Sequence, residues 1–384
     1  MGRISLLFAG FAVLLAPPLA AQDDSAWKVG GDLQLLYQNL WRDDRDGTDS
    51  ENDVLSARLR LSLDREINSN WSFRTRLAAR FDDSGNDADL FIRSHRQSPT
   101  GIEPGSVTPD QVYLRWRSDD RKTDLRIGRQ THSIRLPLIV NRSLDRDTSV
   151  NVDIGWNDGI QLIQNIAGGW KGNLFMQYNS RKGNGTANRG PTDFRDSDSR
   201  ISYYAGVRND DALGPVFFRQ LGVNWSPDTL APDGLNAPRR EDYITASGKL
   251  AAGWDVGGKL GAEGTRFVLG GELGYAFEQP TEATMRIGGD GDVGGWAWQL
   301  GADLRNFVPR HNLGVLYGRV QAGWLITPGF RENEDYLELR YIFQINKGLA
   351  WELRIRQREE LERRLGALDA RTDRDVRTRL TWRF

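Results

Sequence analysis

The chain has 384 residues, 27% of them charged, and a mean hydropathy of −0.56, values that exclude a protein built of membrane-spanning helices. Beyond the N-terminus no stretch offers the roughly 20 apolar residues such a helix needs, although a β-barrel escapes this test because half of each strand faces a polar lumen. Cys is absent, which removes disulfides and thiolate metal sites, and 51 basic against 52 acidic residues leave no net positive charge for nucleic acid.

Residues 1–21 read as a secretory signal. Arg3 supplies the positive region, residues 4–15 the apolar core, and Leu19-Ala20-Ala21 the small-residue cleavage site. About a dozen apolar residues are too few for a stable span. Residues 22–384 then form one domain, with no linker in view.

Alternating segments follow, and alternation over four to eight residues is the signature of a half-buried strand. In the first, Val29, Leu33, Leu35, Tyr37 and Trp41 share a face. The second sets Leu55, Ala57, Leu59, Leu61 and Leu63 against Ser56, Arg58, Arg60 and Ser62. The third opposes Trp71, Phe73, Leu77, Ala79 and Phe81 to Arg74, Arg76 and Arg80. The fourth opposes Val112, Leu114 and Trp116 to Tyr113, Arg115 and Arg117, and the fifth sets Leu125 and Ile127 against Arg126 and Gly128. Further segments are expected near 159–167, 170–178, 199–208, 216–225, 242–254, 265–278, 296–305, 313–326, 335–345 and 349–358. The last, from Asp375, places Val376, Leu380, Trp382 and Phe384 opposite Arg377, Arg379, Thr381 and Arg383. The count is sixteen, within a range of 14–18.

Connections alternate in length. Those at 67–70, 118–121, 167–169, 209–214 and 346–348 are short. Those at 42–52, 82–110, 131–158, 181–198, 226–241 and 359–372 are long and rich in Gly, Asp and Arg. Short turns on one side and long loops on the other are the asymmetry of an outer-membrane barrel. Aromatic residues mark the outward ends of many segments: Trp41, Trp71, Phe81, Trp116, Trp170, Trp225, Trp254, Trp296, Trp324, Trp351 and Trp382. Rings of this kind settle at the two lipid–water interfaces. In lipid a sheet edge cannot stay unsatisfied, so the sheet must close. The expected fold is therefore all-β: a closed antiparallel transmembrane β-barrel.

The terminal strand ending on an aromatic residue resembles the end of Gram-negative outer-membrane barrels, where it serves as the membrane insertion signal. The resemblance assigns that role to Phe384 and implies the outer-membrane barrel insertion machinery as a partner. A second resemblance rests on Gly128-Arg129-Gln130 and on Gly155-Trp156-Asn157-Asp158-Gly159-Ile160-Gln161. The pair is similar to a motif of the alginate-export and phosphate-selective porin families. It implies an outer-membrane pore for small anionic solutes, with polysaccharide export as the alternative, and it allows a homotrimer.

The candidate pore-lining residues are Arg58, Arg60, Arg74, Arg76, Arg80, Arg115, Arg117, Arg126, Arg354, Arg356, Arg377 and Arg379. Closure joins the last segments to the first, so these arginines form one wall. Positive charge clustered in a low-dielectric tube concentrates anions. Pairing with carboxylates of infolded loops is the competing use for them. Glu272, Glu278 and Asp303 fall on the opposite wall. The acidic run Asp82, Asp83, Asp87 and Asp89 is the expected constriction loop. Its spacing is not that of an EF-hand, and no metal or cofactor is expected. The three His, at 95, 132 and 311, have no spacing that converges with a nucleophile, so no enzyme is expected. The glycines at 288, 289, 291, 294 and 295 precede no helix and make no nucleotide loop.

Overall fold

The structure is a computed structural model and describes residues 27–82, 107–145, 156–179, 190–194 and 198–384. The signal segment and residues 83–106, which carry Asp83, Asp87, Asp89 and His95, lie outside them. Asp82 is the last residue of a strand rather than part of a loop.

The alternation forms sixteen strands: β1 (Lys28–Asp43), β2 (Asp49–Glu66), β3 (Trp71–Asp82), β4 (Val107–Arg117), β5 (Thr123–Gln130), β6 (Asn157–Asn165), β7 (Trp170–Tyr178) and β8 (Ile201–Asn209), then β9 (Val216–Leu230), β10 (Glu241–Asp255), β11 (Arg266–Ala276), β12 (Trp296–Val308), β13 (His311–Val320), β14 (Glu334–Gln344), β15 (Leu349–Glu360) and β16 (Thr372–Arg383). Each pairs with its sequence neighbours, and β16 pairs with β1 to close the barrel. The seam runs from Asp32 opposite Arg383 to Asp43 opposite Thr372. Phe384 finishes it: its carbonyl accepts from the Gly31 N–H at 2.9 Å, and its own N–H donates to the Gly31 carbonyl at 3.2 Å. A side chain at Gly31 would meet the Phe384 ring at 2.8 Å, so glycine leaves the place the ring fills.

One end of the barrel carries the short turns. At 118–122 the Arg121 N–H donates to the Ser118 carbonyl, and the Asp120 carboxylate accepts from Ser118 Oγ and the Lys122 N–H. These two donors hold the Asp120 carboxyl below the usual carboxylate range. The structure shortens one connection. The long loop expected at 42–52 is a turn at 44–48, because Asp46 accepts from Thr48 N and Oγ (3.1 and 2.6 Å) and Gly47 takes φ +77°. The connection at 306–312 is a two-residue hairpin between Val308 and His311, with Arg310 at φ +71°.

Outward aromatics form two belts. Trp71, Trp116, Trp170, Trp254, Phe267, Phe343, Trp351 and Trp382 ring the short-turn end. Trp41, Tyr178, Tyr203, Trp225, Tyr275 and Trp296 ring the other, with contacts such as Tyr203–Trp225 at 5.1 Å and Tyr275–Trp296 at 4.7 Å. Leucines such as Leu221, Leu250, Leu269, Leu273 and Leu300 stay exposed between them.

Trp324 departs from this pattern. The strand expected over 313–326 stops at Val320, and the chain turns inward. Trp324 is fully buried inside the barrel, not on its outer rim. It joins Val140, Leu144, Tyr243, Leu316, Leu325, Phe330 and Tyr336 in an apolar core enclosed by the sheet. Inward-facing glycines make room for it. A Cβ at Gly274 would lie 2.5 Å from the Trp324 ring, and one at Gly318 would lie 2.8 Å from that of Phe330. Interiors pack densely, so a wall position that must accept a ring has no space for its own side chain. Truncating Trp324 to Ala is expected to cost roughly 3–5 kcal/mol. Denaturant unfolding in detergent micelles, followed by circular dichroism, reads this directly.

Candidate functional site

The candidate site is the barrel interior, which has two unlike walls. Along β9–β14 the wall is covered by residues 131–145, which leave β5 and run inside the barrel as a strap. The strap alternates as a strand does. His132, Ile134, Leu136, Leu138 and Val140 are buried, while Ser133, Arg135, Pro137, Ile139 and Asn141 are more open. It has no neighbouring strand, so its backbone groups must be satisfied otherwise. Side chains of the wall do this. Asp303 accepts from the Ile139 N–H at 3.0 Å, and Arg305 donates to the Pro137 carbonyl at 2.5 Å. Arg340 donates to the Ile139 carbonyl at 3.3 Å, and Gln299 to that of Arg142 at 3.3 Å. Glu272 accepts from the Leu144 N–H at 3.1 Å, and Trp324 Nε1 donates to the Leu144 carbonyl at 2.9 Å. Thr327 Oγ1 donates to the Ser143 carbonyl at 2.6 Å.

Two buried ion pairs of opposite polarity fasten the same segment. The strap's Arg142 meets Glu338 of β14 at 2.7 Å. The strap's Asp145 meets Lys249 of β10, whose ammonium also lies 2.9 Å from Glu272. Asp145 further accepts from Ser247 Oγ at 2.8 Å and from Asn224 Nδ2 at 3.0 Å. Leu138 fills the space above Gly301, where a Cβ would approach it to 2.7 Å, and Ile139 that above Gly314, to 2.8 Å. Sequence reasoning did not single out this segment. The available signal was the row of inward glycines at 270, 274, 301, 314 and 318.

The opposite wall, β14–β16 with β1–β5, brings the predicted arginines together with carboxylates of the wall itself. Arg58 donates to Asp32 at 2.7 Å. Arg60 (3.0 Å) and Arg76 (2.7 and 2.8 Å) share Asp110. Arg115 (2.5 Å) and Arg126 (3.2 Å) share Asp124. Arg354 and Arg356 share Asp375, the latter at 2.5 Å. Arg377 (2.9 Å) and Arg379 (2.5 Å) share Glu352. Arg74 stands 3.5 Å from Asp64, and Arg117 stands 3.8 Å from Glu66. Arg80 continues the row on the same face of β3. Exposure divides them: Arg74, Arg115, Arg117 and Arg126 are partly open, whereas Arg58, Arg354 and Arg377 are buried.

Of the three acidic residues expected opposite, Glu272 and Asp303 serve the strap. Glu278 lies beyond the end of β11 and accepts from the Ile244 N–H at 3.2 Å. At the long-loop end, Asp373 gathers Arg42 (2.9 Å), Arg331 and Arg371 (3.2 Å), and Glu360 accepts from Arg45. That hydrogen bond to Glu360 raises the pKa of the Arg45 guanidinium. His132 packs on Phe175 at 4.9 Å with Nδ1 facing Gln161, while His311 lies against Phe343 at 4.5 Å on another strand pair. Among the described residues no group of His and carboxylates is placed to hold a metal. Arg129 pairs with Asp158 at 2.8 Å and stacks over Trp156 at 4.3 Å, Trp156 packs on Ala78, and Gln130, Asn157 and Gln161 of the same motif are buried.

No family model and no curated protein matches the chain. Solved structures do match its fold. OprB of Pseudomonas putida superposes with a TM-score of 0.60 at 12% identity, over 98% of this chain and 97% of that one. The outer-membrane channel DcaP of Acinetobacter baumannii gives 0.58 at 11% identity, over 94% and 97%. An anion-selective porin from Comamonas acidovorans gives 0.53 at 12% identity, over 94% and 100%. The chain shares its overall fold with these structures.

Removing one partner of a buried ion pair leaves the other charge uncompensated, at about 3–5 kcal/mol. Lys249→Met strands both Asp145 and Glu272. It is expected to free the strap, and cleavage at 131–145 by an added protease, silent in the parent barrel, measures this.

Proposed function

We propose that this chain is an outer-membrane porin: a water-filled channel for diffusion of small hydrophilic, anionic solutes across the Gram-negative outer membrane. The signal segment, the two aromatic belts, the short-turn and long-loop ends and the terminal Phe384 support that location. They imply delivery through the periplasm and insertion by the barrel assembly machinery, with Phe384 as the signal. A homotrimer is compatible with this reading.

One observation carries the anionic preference. Asp110, Asp124 and Asp375 are each shared by two arginines, and Glu338 and Glu352 together meet four (Arg142, Arg340, Arg377 and Arg379), so arginines outnumber carboxylates in each of these networks. An arginine presents five N–H donors in a fixed fork, and a shared carboxylate occupies only part of that set. The interior wall is then neither a plain salt-bridge lattice nor an uncompensated row of cations. It attracts an anion and still has donors to offer. Where the wall is partly open, at Arg74, Arg115, Arg117 and Arg126, it forms the vestibule near the short-turn end. The strap faces it and narrows the bore, the role sequence reasoning gave to the run from Asp82 to Asp89. Polymer export is poorly served by an interior that holds both the strap and the Trp324 loop. The arrangement binds and conducts, and no catalytic role is assigned.

Single-channel recording in a salt gradient tests the proposal. The reversal potential is expected to show anions crossing several times faster than cations. Converting Arg115 and Arg126 to Gln together should lower that ratio at least twofold, and raised ionic strength should weaken the preference because exposed charges are screened. A wild-type channel that favours cations ends the anion reading.

A further inference from the structure

The pairing of β3 with β4 contains one irregularity, and it falls beside the arginines. Arg76 is opposite Gln111 and Leu77 is opposite Pro109, so Asp110 is an extra residue with no partner in the ladder. A bulge of this kind bends the strand and re-aims a side chain. Pro109 is tolerated there because it has no N–H to place in the ladder. The consequence is that two successive residues turn inward. Gln111 donates to Thr131 Oγ1 at 2.6 Å and holds the root of the strap. Asp110 is fully buried, between Arg60 of β2 and Arg76 of β3.

We propose that Asp110 is the positioning residue for anion passage: the bulge inserts its carboxylate so that Arg60 and Arg76 act as one binding step whose grip on a passing anion is kept weak. This rests on the porin reading above and goes beyond it in naming what sets rate against selectivity. Arg76 meets Asp110 with two nearly parallel bonds, from Nε and Nη2 at 2.7 and 2.8 Å, which fixes the plane of its guanidinium. Arg60 Nε lies 3.0 Å from Oδ2, the oxygen that also accepts from Arg76 Nη2, and pairs with the carboxylate by charge. Part of the Arg76 fork is thereby occupied, and the charge of both guanidinium groups is partly offset. An arriving carboxylate, phosphate or halide competes with Asp110 for donors and is released as Asp110 takes them back. Without that competitor, two guanidinium groups brought together by adjacent strands would hold the anion far longer.

The test uses the full-length mature barrel in planar bilayers with potassium chloride as the probe. Four proteins are compared: wild type, Asp110→Asn, Asp110→Glu and Asp64→Asn. The last removes the same charge beside Arg74, where no bulge exists. Asp110→Asn is expected to raise the anion-to-cation permeability ratio severalfold, and to make conductance saturate at a several-fold lower salt concentration. Asp110→Glu should restore both values. Asp64→Asn should shift the permeability ratio modestly and leave the half-saturating concentration unchanged. Asp110→Asn behaving like Asp64→Asn, or Asp110→Glu behaving like Asp110→Asn, overturns the proposal and leaves the porin reading intact. Should Asp110→Asn fail to give a folded barrel on a heat-modifiability gel, Arg76→Gln provides the opposite arm. It removes one of the two binding groups, so the half-saturating concentration must rise at least twofold, and an unchanged value overturns the proposal equally.

Discussion

Every strand here must find all its backbone partners inside the sheet, because hydrocarbon offers none. Closure through β1 and β16 meets that demand, and Phe384 completes the seam on Gly31. Once the sheet closes, the period-two alternation has only two destinations. Leucines and aromatic rings face lipid, and everything on the other parity is enclosed. The interior is thus a consequence of backbone chemistry before it is an adaptation to any solute.

Enclosure creates a second requirement, since a tube this wide must be filled or left wet. The two halves of the chain meet it differently. On β11–β13 several inward positions are glycines, which admit Leu138, Ile139, Trp324 and Phe330 from two infolded segments. The strap is a strand without a sheet, and wall side chains supply the hydrogen bonds a neighbouring strand would have given. Its two ion pairs run in opposite senses, Arg142 to Glu338 and Asp145 to Lys249, so the segment docks in one register only. The result is a rigid inner partition with an apolar core of its own.

On β14–β16 and β1–β5 the inward positions are long and charged. Among the described residues, arginines there are organised by carboxylates from neighbouring strands. One carboxylate between two guanidinium groups satisfies burial while leaving surplus charge and unused donors. Burial then grades the wall. Arg354 and Arg377 sit inside dense networks, whereas Arg115 and Arg126 stay partly exposed. Residues of one type on one face therefore have different consequences, and position along the axis decides which.

Strand number and closure were legible in the sequence, because alternation is local and a slip of one residue would turn every side chain to the wrong face. Trp324 was misplaced for the same reason: its parity continued the pattern of β13, and nothing within the segment marks where the chain leaves the sheet. The strap escaped notice although it too alternates, because its partner is a wall more than a hundred residues away, and only the glycines of that wall hint at it. Which carboxylate each arginine meets was also undecided, since Asp32, Asp110, Asp124, Glu352 and Asp375 come into reach only through cross-strand register. Local periodicity set the two faces of the sheet. Contacts between distant strands, and the single extra residue at Asp110, settled what the inner face holds.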